Sequence, residues 1–226
     1  MKAIFISVRT GSVRLPKKAL KKIVGKSTIE HLIGRVRKSK LADMVILCTT
    51  ELSEDDELCN IATKNNIQFF RGSSPDKLKR WLGAAKKYNI DFFVNVDGDD
   101  IFFDSGLADI CFSQHLHNLE KTDFIDGRGL YNDVYGIKTT ALAKVCNAKS
   151  DSDTEFIRPH FVSKYKNDFR LRRRFKFLQD SNRTFSEYKI RDVFREYIEI
   201  LRIQPKRGEH QLALRTILGR QPEKND

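Results

Sequence analysis

The sequence predicts an α/β fold: a Rossmann-like, mostly parallel sheet flanked by helices, with a small strand-containing extension. Three observations carry that prediction. From Ala3 to Val96, short apolar and β-branched runs alternate with stretches of helical periodicity, as in a sheet covered on both faces. Each apolar run is too short for a helix and too apolar for a strand with one wet face. The chain of 226 residues, 40% of them hydrophobic, is also long enough to bury one substantial core, and nothing in it argues for two independent folds.

Ala3 to Val8 is the first buried strand. Polarity then changes abruptly: Arg9 to Lys22 holds two arginines, a Gly11-Ser12 turn, Pro16 and four lysines, a poor helix but a suitable loop for holding anions. It lacks the Gly-Lys-Ser/Thr of a P-loop and the three spaced glycines of a dinucleotide fingerprint. A loop leaving the carboxyl end of the first strand stands where open α/β sheets bind ligands, with Arg9, Arg14, Lys17 and Lys18 supplying positive charge. A solvated lysine cluster is the plainer alternative.

Ser27 to Glu30 has capping-box form, and Ile29, Leu32, Ile33 and Val36 recur at helical spacing, predicting a helix from Thr28 to Lys38. Met44 to Cys48 follows as a strand, Ser53 to Asp56 as a second capping box opening a helix to Asn65, and Ile67 to Phe70 as a short strand. Ser74-Pro75 reads as the start of a helix with Leu78, Trp81, Leu82 and Ala85 inward, ending near Tyr88. Phe92 to Val96 is the fourth strand, and alternation of this kind implies right-handed parallel crossovers.

Asp97-Gly98-Asp99-Asp100 stands at the carboxyl end of that strand, placed about two strands from the basic loop. Three carboxylates so close repel one another unless solvated or bound to a cation, and Mg²⁺ bridging phosphates is the economical partner; an acidic turn is the structural alternative. Beyond it, Asp104 to Asn118 reads as a helix with Leu107, Ile110, Cys111 and Leu116 inward, and His115 and His117 at the surface or a partner contact. Phe124 to Asp126 and Val134 to Ile137 read as strands around Gly127-Arg128-Gly129, and Thr139 to Ala148 and Asp153 to Lys164 as helices. Phe169 to Phe177 alternates apolar and basic residues as a strand with one basic face. A helix from Lys189 to Leu201 and a short one over Leu212 to Leu218 follow.

The formal net charge of +12 favours anionic partners without choosing among nucleotides, phosphosugars, nucleic acid and anionic lipid. Cys48, Cys59, Cys111 and Cys146 lack metal-binding spacing and read as buried free thiols in a reducing compartment. No apolar run is long enough to span a membrane, and Met1-Lys2 passes directly into a strand, so the expected location is cytoplasmic.

Arg9 to Lys18, Arg-x-Gly-Ser-x-Arg-Leu-Pro-x-Lys, resembles the signature loop of the cytidylyltransferases that activate sugars. The likeness is strongest to the branch named for spore-coat polysaccharide biosynthesis, whose relatives, the acylneuraminate and Kdo cytidylyltransferases, activate acidic sugars. It continues through Gly25-Lys26, Glu30-His31, Asp43 to Thr50, Phe70 to Ser73, Asp76, Leu78, Arg80 and Gly98-Asp99, and thins beyond Phe103. It implies a sheet of the nucleotide-diphosphosugar transferase type within one nucleotidyltransferase domain over 1–218. Residues 1–123 are then a nucleotide-binding core, 124–185 an acceptor and dimerisation extension, 186–218 a helical segment and 219–226 a disordered tail.

The resemblance further implies CTP and a sugar acceptor as substrates, Mg²⁺ as cofactor and a homodimer as the working form. Arg9, Gly11, Ser12, Arg14, Lys18, Arg71 and Asp76 correspond to nucleotide-binding positions, with Arg9, Lys18 and Asp99 as the catalytic set. Asp99 is the implied metal ligand, with Glu187 in place of a second aspartate; Asp133 and Glu155 are the implied acceptor contacts. The chain departs from the family pattern at Asp97, Asp100 and Ile101 and through its second half. Two other classes stay open: a non-catalytic nucleic-acid-binding or scaffold protein on a degenerate transferase fold, and a glycosyltransferase reading Asp97-Gly98-Asp99 as its Asp-x-Asp.

Overall fold

The structure, a computed structural model, describes residues 1–11, 15–117, 122–126, 134–150, 154, 157–162 and 171–173. Strand β1 (Lys2–Ser7) is followed by the basic loop and a small antiparallel ribbon, β2 (Lys22–Ile23) and β3 (Lys26–Ser27), which turns through Val24 and Gly25, both at positive φ. Then come α1 (Thr28–Val36), β4 (Met44–Thr50), α2 (Asp56–Lys64), β5 (Gln68–Gly72), α3 (Lys77–Lys87) and β6 (Phe92–Asp97). The remaining elements are α4 (Ser105–Leu116), β7 (Phe124–Asp126), β8 (Tyr135–Lys138), α5 (Thr139–Ala148), α6 (Arg158–Val162) and β9 (Leu171–Arg173).

The main sheet runs in the order β5-β4-β1-β6-β8-β7-β9. Its first four strands are parallel; β8 is antiparallel to both β6 and β7. The predicted class is therefore the observed one, and β7 and β8 extend the same sheet. Because β4 lies on one side of β1 and β6 on the other, the chain reverses its direction of travel at the β1–β6 boundary. That boundary is the switch point where open α/β sheets leave a crevice.

The apolar runs fill two cores. Ile4, Ile6, Val94 and Val96 face α1, α2 and α4, while Ala3, Phe5 and Phe93 face α3 and α5. Phe5 stacks on Phe93 at 4.2 Å between ring centroids, and Trp81 meets Phe93 edge-on at 5.6 Å. Each such fully buried side chain contributes about 1.5–3 kcal/mol, so the two faces fix the register of β1 against β6 and hence the relative position of the loops leaving them.

Local signals were right where the partner was also local. The α1 capping box forms as its sequence predicts: the Glu30 amide donates to Ser27 Oγ at 3.4 Å and the Ser27 amide to Glu30 Oε2 at 2.8 Å. Two starts differ, and one helix face. Ser53–Asp55 forms a 3-10 turn in place of the second capping box, and α3 starts at Lys77, capped by Asp76, rather than at Ser74-Pro75. His115 is buried, stacked on Phe92 at 4.0 Å, while Leu116, expected inward, is 44% exposed. Of the helix expected over Asp153 to Lys164, Arg158–Val162 is described, and of the basic strand, Leu171–Arg173 pairs with β7.

Candidate active site

The basic loop is rooted at Thr10. Its amide donates to Asp55 Oδ1 at 2.7 Å, its hydroxyl bonds the same oxygen at 2.7 Å, and its carbonyl accepts the Lys17 amide at 3.1 Å. The excursion from Gly11 to Pro16 thus begins and ends on one residue. Lys17 takes a left-handed φ of 55°, reversing the chain into the 3-10 turn Lys18–Leu20. Thr28, at the start of α1, donates its hydroxyl to the Lys18 carbonyl at 2.9 Å. The Lys18 backbone is held from below and its side chain is sent toward the crevice.

Asp99 meets it there. The Lys18 ammonium pairs with Asp99 Oδ2 across the β1–β6 boundary, both side chains part-exposed. The acidic turn is directly adjacent to the basic loop rather than about two strands away, because β1 and β6 pair in register with Ser7 opposite Asp97. Gly98 makes the close approach possible: its amide donates to the Ser7 carbonyl at 2.8 Å, and a Cβ there would lie 2.5 Å from Val8 Cβ.

Asp97 turns the other way, toward α3. Lys77, 7% exposed, places its Nζ 2.8 Å from Asp97 Oδ1 and 5.3 Å above the Trp81 ring, and Trp81 donates its indole N–H to Ser7 Oγ at 2.6 Å. Two opposite charge pairs, Lys18–Asp99 and Lys77–Asp97, therefore occupy the two flanks of one strand end. The described residues contain no group of three His, Cys, Asp or Glu side chains able to hold a metal ion, and Asp97 and Asp99 turn to different lysines. A single part-exposed carboxylate at a crevice still fits Mg²⁺, which takes one or two carboxylates and completes its shell with phosphate oxygens and water.

The other expected site residues divide. Arg9 and Gly11 are exposed where the loop leaves β1. Arg71 lies on β5 and binds the segment after β4: Nε to the Thr50 carbonyl at 3.1 Å, a terminal nitrogen to the Leu52 carbonyl at 2.8 Å, and NH1 to Asp56 Oδ1 at 2.6 Å. Asp76, expected at the nucleotide, is 6% exposed and structural in its contacts: it caps α3 through the Lys79 amide at 3.0 Å, accepts from Thr154 Oγ1 at 3.0 Å and pairs with Lys149. Its burial is what the ion pair and the cap offset. Ser12, Arg14, Asp133, Glu155 and Glu187 lie outside the described residues.

A sequence-family profile described as Cytidylyltransferase matches residues 3–216. The chain belongs to the cytidylyltransferase family. It is 30% identical over 115 residues to the spore coat polysaccharide biosynthesis protein SpsF of Bacillus subtilis, covering 49% of this chain and 48% of that protein. It is 29% identical over 107 residues to the 3-deoxy-manno-octulosonate cytidylyltransferase of Geobacter metallireducens, covering 46% and 40%. The chain thus spans less than half the length of either relative. A solved cytidylyltransferase from Leptospira borgpetersenii superposes with a TM-score of 0.74 at 26% identity, covering 91% of this chain and 97% of that one.

In this member of the cytidylyltransferase family, sequence reasoning missed Thr10, Asp55 and Lys77. Asp55 is fully buried and its other oxygen accepts from Thr49 Oγ1 at 2.9 Å, the Thr50 amide at 3.2 Å and the Thr50 hydroxyl. Burial pushes the Asp55 carboxyl up, but the hydrogen bonds from Thr50, Thr10 and Thr49 outweigh it and hold the group below the usual carboxylate range. In the sequence it sits within Glu54-Asp55-Asp56-Glu57, which reads as a solvated acidic helix start. Thr49-Thr50 at a strand's carboxyl end was the one available signal, since two hydroxyls in that position call for an acceptor.

Proposed function

We propose that this protein transfers a cytidylyl group from CTP to a sugar, an acidic one, releasing pyrophosphate, in the assembly of a surface polysaccharide. The observation that carries the reading is the Lys18–Asp99 pair, which sets a cation from the basic loop against a carboxylate at the switch point. Family membership and the names of the relatives support CTP and the sugar.

Arg9, Gly11 and Lys18, with Ser12 and Arg14, hold the triphosphate in this reading. An oxygen of the acceptor, hydroxyl or carboxylate, forms a bond to the α-phosphorus while the bond from that phosphorus to the bridging oxygen of pyrophosphate breaks. Negative charge builds on the leaving group, and the Lys18 and Arg9 cations neutralise it from fixed positions. Such catalysis is chiefly positioning and electrostatics, so no activated serine or cysteine is required. Asp99, with Glu187, would hold Mg²⁺, which when bound supplies further neutralisation of the phosphates. Asp133 and Glu155 are assigned to the acceptor, and the family resemblance supports a cytoplasmic homodimer joined through the 124–185 extension.

The glycosyltransferase reading weakens on geometry, because Asp97 is turned to Lys77 and Asp99 to Lys18 instead of sharing one face. The discriminating experiment is incubation with CTP, Mg²⁺ and a panel of acidic and neutral sugars, with mass spectrometry of the products. A CMP-linked acidic sugar is expected. Transfer from a nucleotide sugar, or CMP linked only to neutral sugars, would overturn the assignment.

A further inference from the structure

We infer that Asp55 is a positioning residue for the phosphate-holding loop and that Arg71 acts on the same loop through it, rather than by touching nucleotide. The inference rests on the CTP reading above. Asp55 is fully buried, lies 45 residues from Thr10 in sequence, and among the described residues uses one oxygen for Thr10 and the other for the end of β4. The carboxylate is therefore a two-sided clamp: one side fixed to the sheet at Thr49 and Thr50, the other gripping the residue on which the loop begins and closes. The Thr10 hydroxyl oxygen also lies 3.0 Å from the Glu54 carbonyl, sharing its one proton between that oxygen and Asp55, and the Glu54 side chain lies over Gly11, its Oε1 within 2.7 Å of where a Cβ would stand. Glu54 and Asp55 of the 3-10 turn are thus both seated on the loop root.

Arg71 completes the chain of contacts. Its guanidinium spans Thr50, Leu52 and Asp56, the residues bracketing that turn, and so holds the turn against the edge of β5. Loop geometry then passes from Arg71 to the 50–56 segment, from Asp55 to Thr10, and from Thr10 to Lys17 and the Lys18–Asp99 pair. Hydrogen bonds to a buried carboxylate are stronger than neutral ones, and a loop ordered before ligand arrives costs less to fix on binding.

The test compares Thr10→Val, Thr10→Ser and Thr49→Val in the full chain. Thr10→Val removes the loop's hydroxyl tether and leaves the sheet side of the clamp; Thr49→Val keeps the tether and removes one sheet-side bond, the Thr50 amide and hydroxyl still holding the same oxygen; Thr10→Ser keeps both. Thr10→Val should weaken CTP binding and raise KM for CTP about tenfold, with kcat changed less than about threefold, the scale of one charge-assisted hydrogen bond. Thr10→Ser should restore the wild-type value, and Thr49→Val should lower Tm with CTP affinity unchanged. Arg71→Met should show the Thr10→Val signature. Hydrogen exchange without nucleotide gives an independent readout: the Lys17 amide, bonded to the Thr10 carbonyl, should exchange faster in Thr10→Val and not in Thr49→Val. Equal effects of Thr10→Val and Thr49→Val on both CTP affinity and exchange would reduce Asp55 to a stability element and overturn the inference. Failure of the wild type to bind CTP would instead defeat the functional reading, while the exchange comparison would still decide the clamp.

Discussion

Lys18 and Asp99, 81 residues apart in sequence, pair side chain to side chain across the boundary between β1 and β6. Neither lies on a regular element whose periodicity would aim it. Lys18 is aimed by the Thr28 hydroxyl beneath its carbonyl and by the left-handed Lys17 before it; Asp99 by the contact of Gly98 with Ser7.

Lys18→Ala should lower kcat for pyrophosphate release by about a hundredfold to a thousandfold, the cost of removing one fixed group that stabilises developing charge. Because both side chains of the pair are part-exposed, the loss of stability should stay below about 1 kcal/mol. Steady-state kinetics beside thermal unfolding will separate the two effects. A large fall in Tm would recast Lys18 as structural.

Gly98→Ala should be harmful in both respects. The new methyl would lie 2.5 Å from Val8 Cβ and 3.1 Å from the Ser7 carbonyl, neither of which is the free end of a flexible side chain. Relief requires β6 to shift from β1, costing about 1–3 kcal/mol and withdrawing Asp99 from Lys18. Denaturant unfolding and activity should fall together; a variant with native stability and turnover would contradict the close approach.

His115 gives a pH dependence with a definite sign. Burial, then the nearby Lys138 cation, lowers its pKa to about 4 from the usual 6.5. Between those values the unfolded chain binds a proton that the folded chain refuses, so stability falls as pH drops from 6.5 toward 4, by at most about 1.4 kcal/mol per pH unit. Tm measured at pH 7 and pH 5 should differ more for wild type than for His115→Phe. An equal difference would mean that His115 takes no part.

Strands β1, β4 and β6 and the α1 capping box were legible because each is written within a few residues: an apolar run, or a serine three residues before a glutamate. The signature loop and Gly98-Asp99 were legible by resemblance. What escaped depended on partners distant in sequence. Asp55 reads as one of four consecutive acids until Thr10 and Thr49 close on it, and Lys77 reads as one lysine of a solvated helix face until Asp97 draws it under the strand end. Asp76 was legible as a motif position, but its contacts were not: the α3 cap, Thr154 and Lys149 lie up to 78 residues away. His115 was placed at the surface by its polarity, whereas stacking on Phe92 lets a neutral ring serve as an apolar one.

The most direct measurement is Mg²⁺-dependent pyrophosphate release from each of the four nucleoside triphosphates in the presence of an acidic-sugar panel, comparing wild type with Asp99→Asn. Cytidylyl transfer at the Lys18–Asp99 crevice predicts release from CTP above the other three, dependent on one acidic sugar and reduced at least about a hundredfold in Asp99→Asn. Undiminished release by Asp99→Asn, or release indifferent to the base, would contradict it.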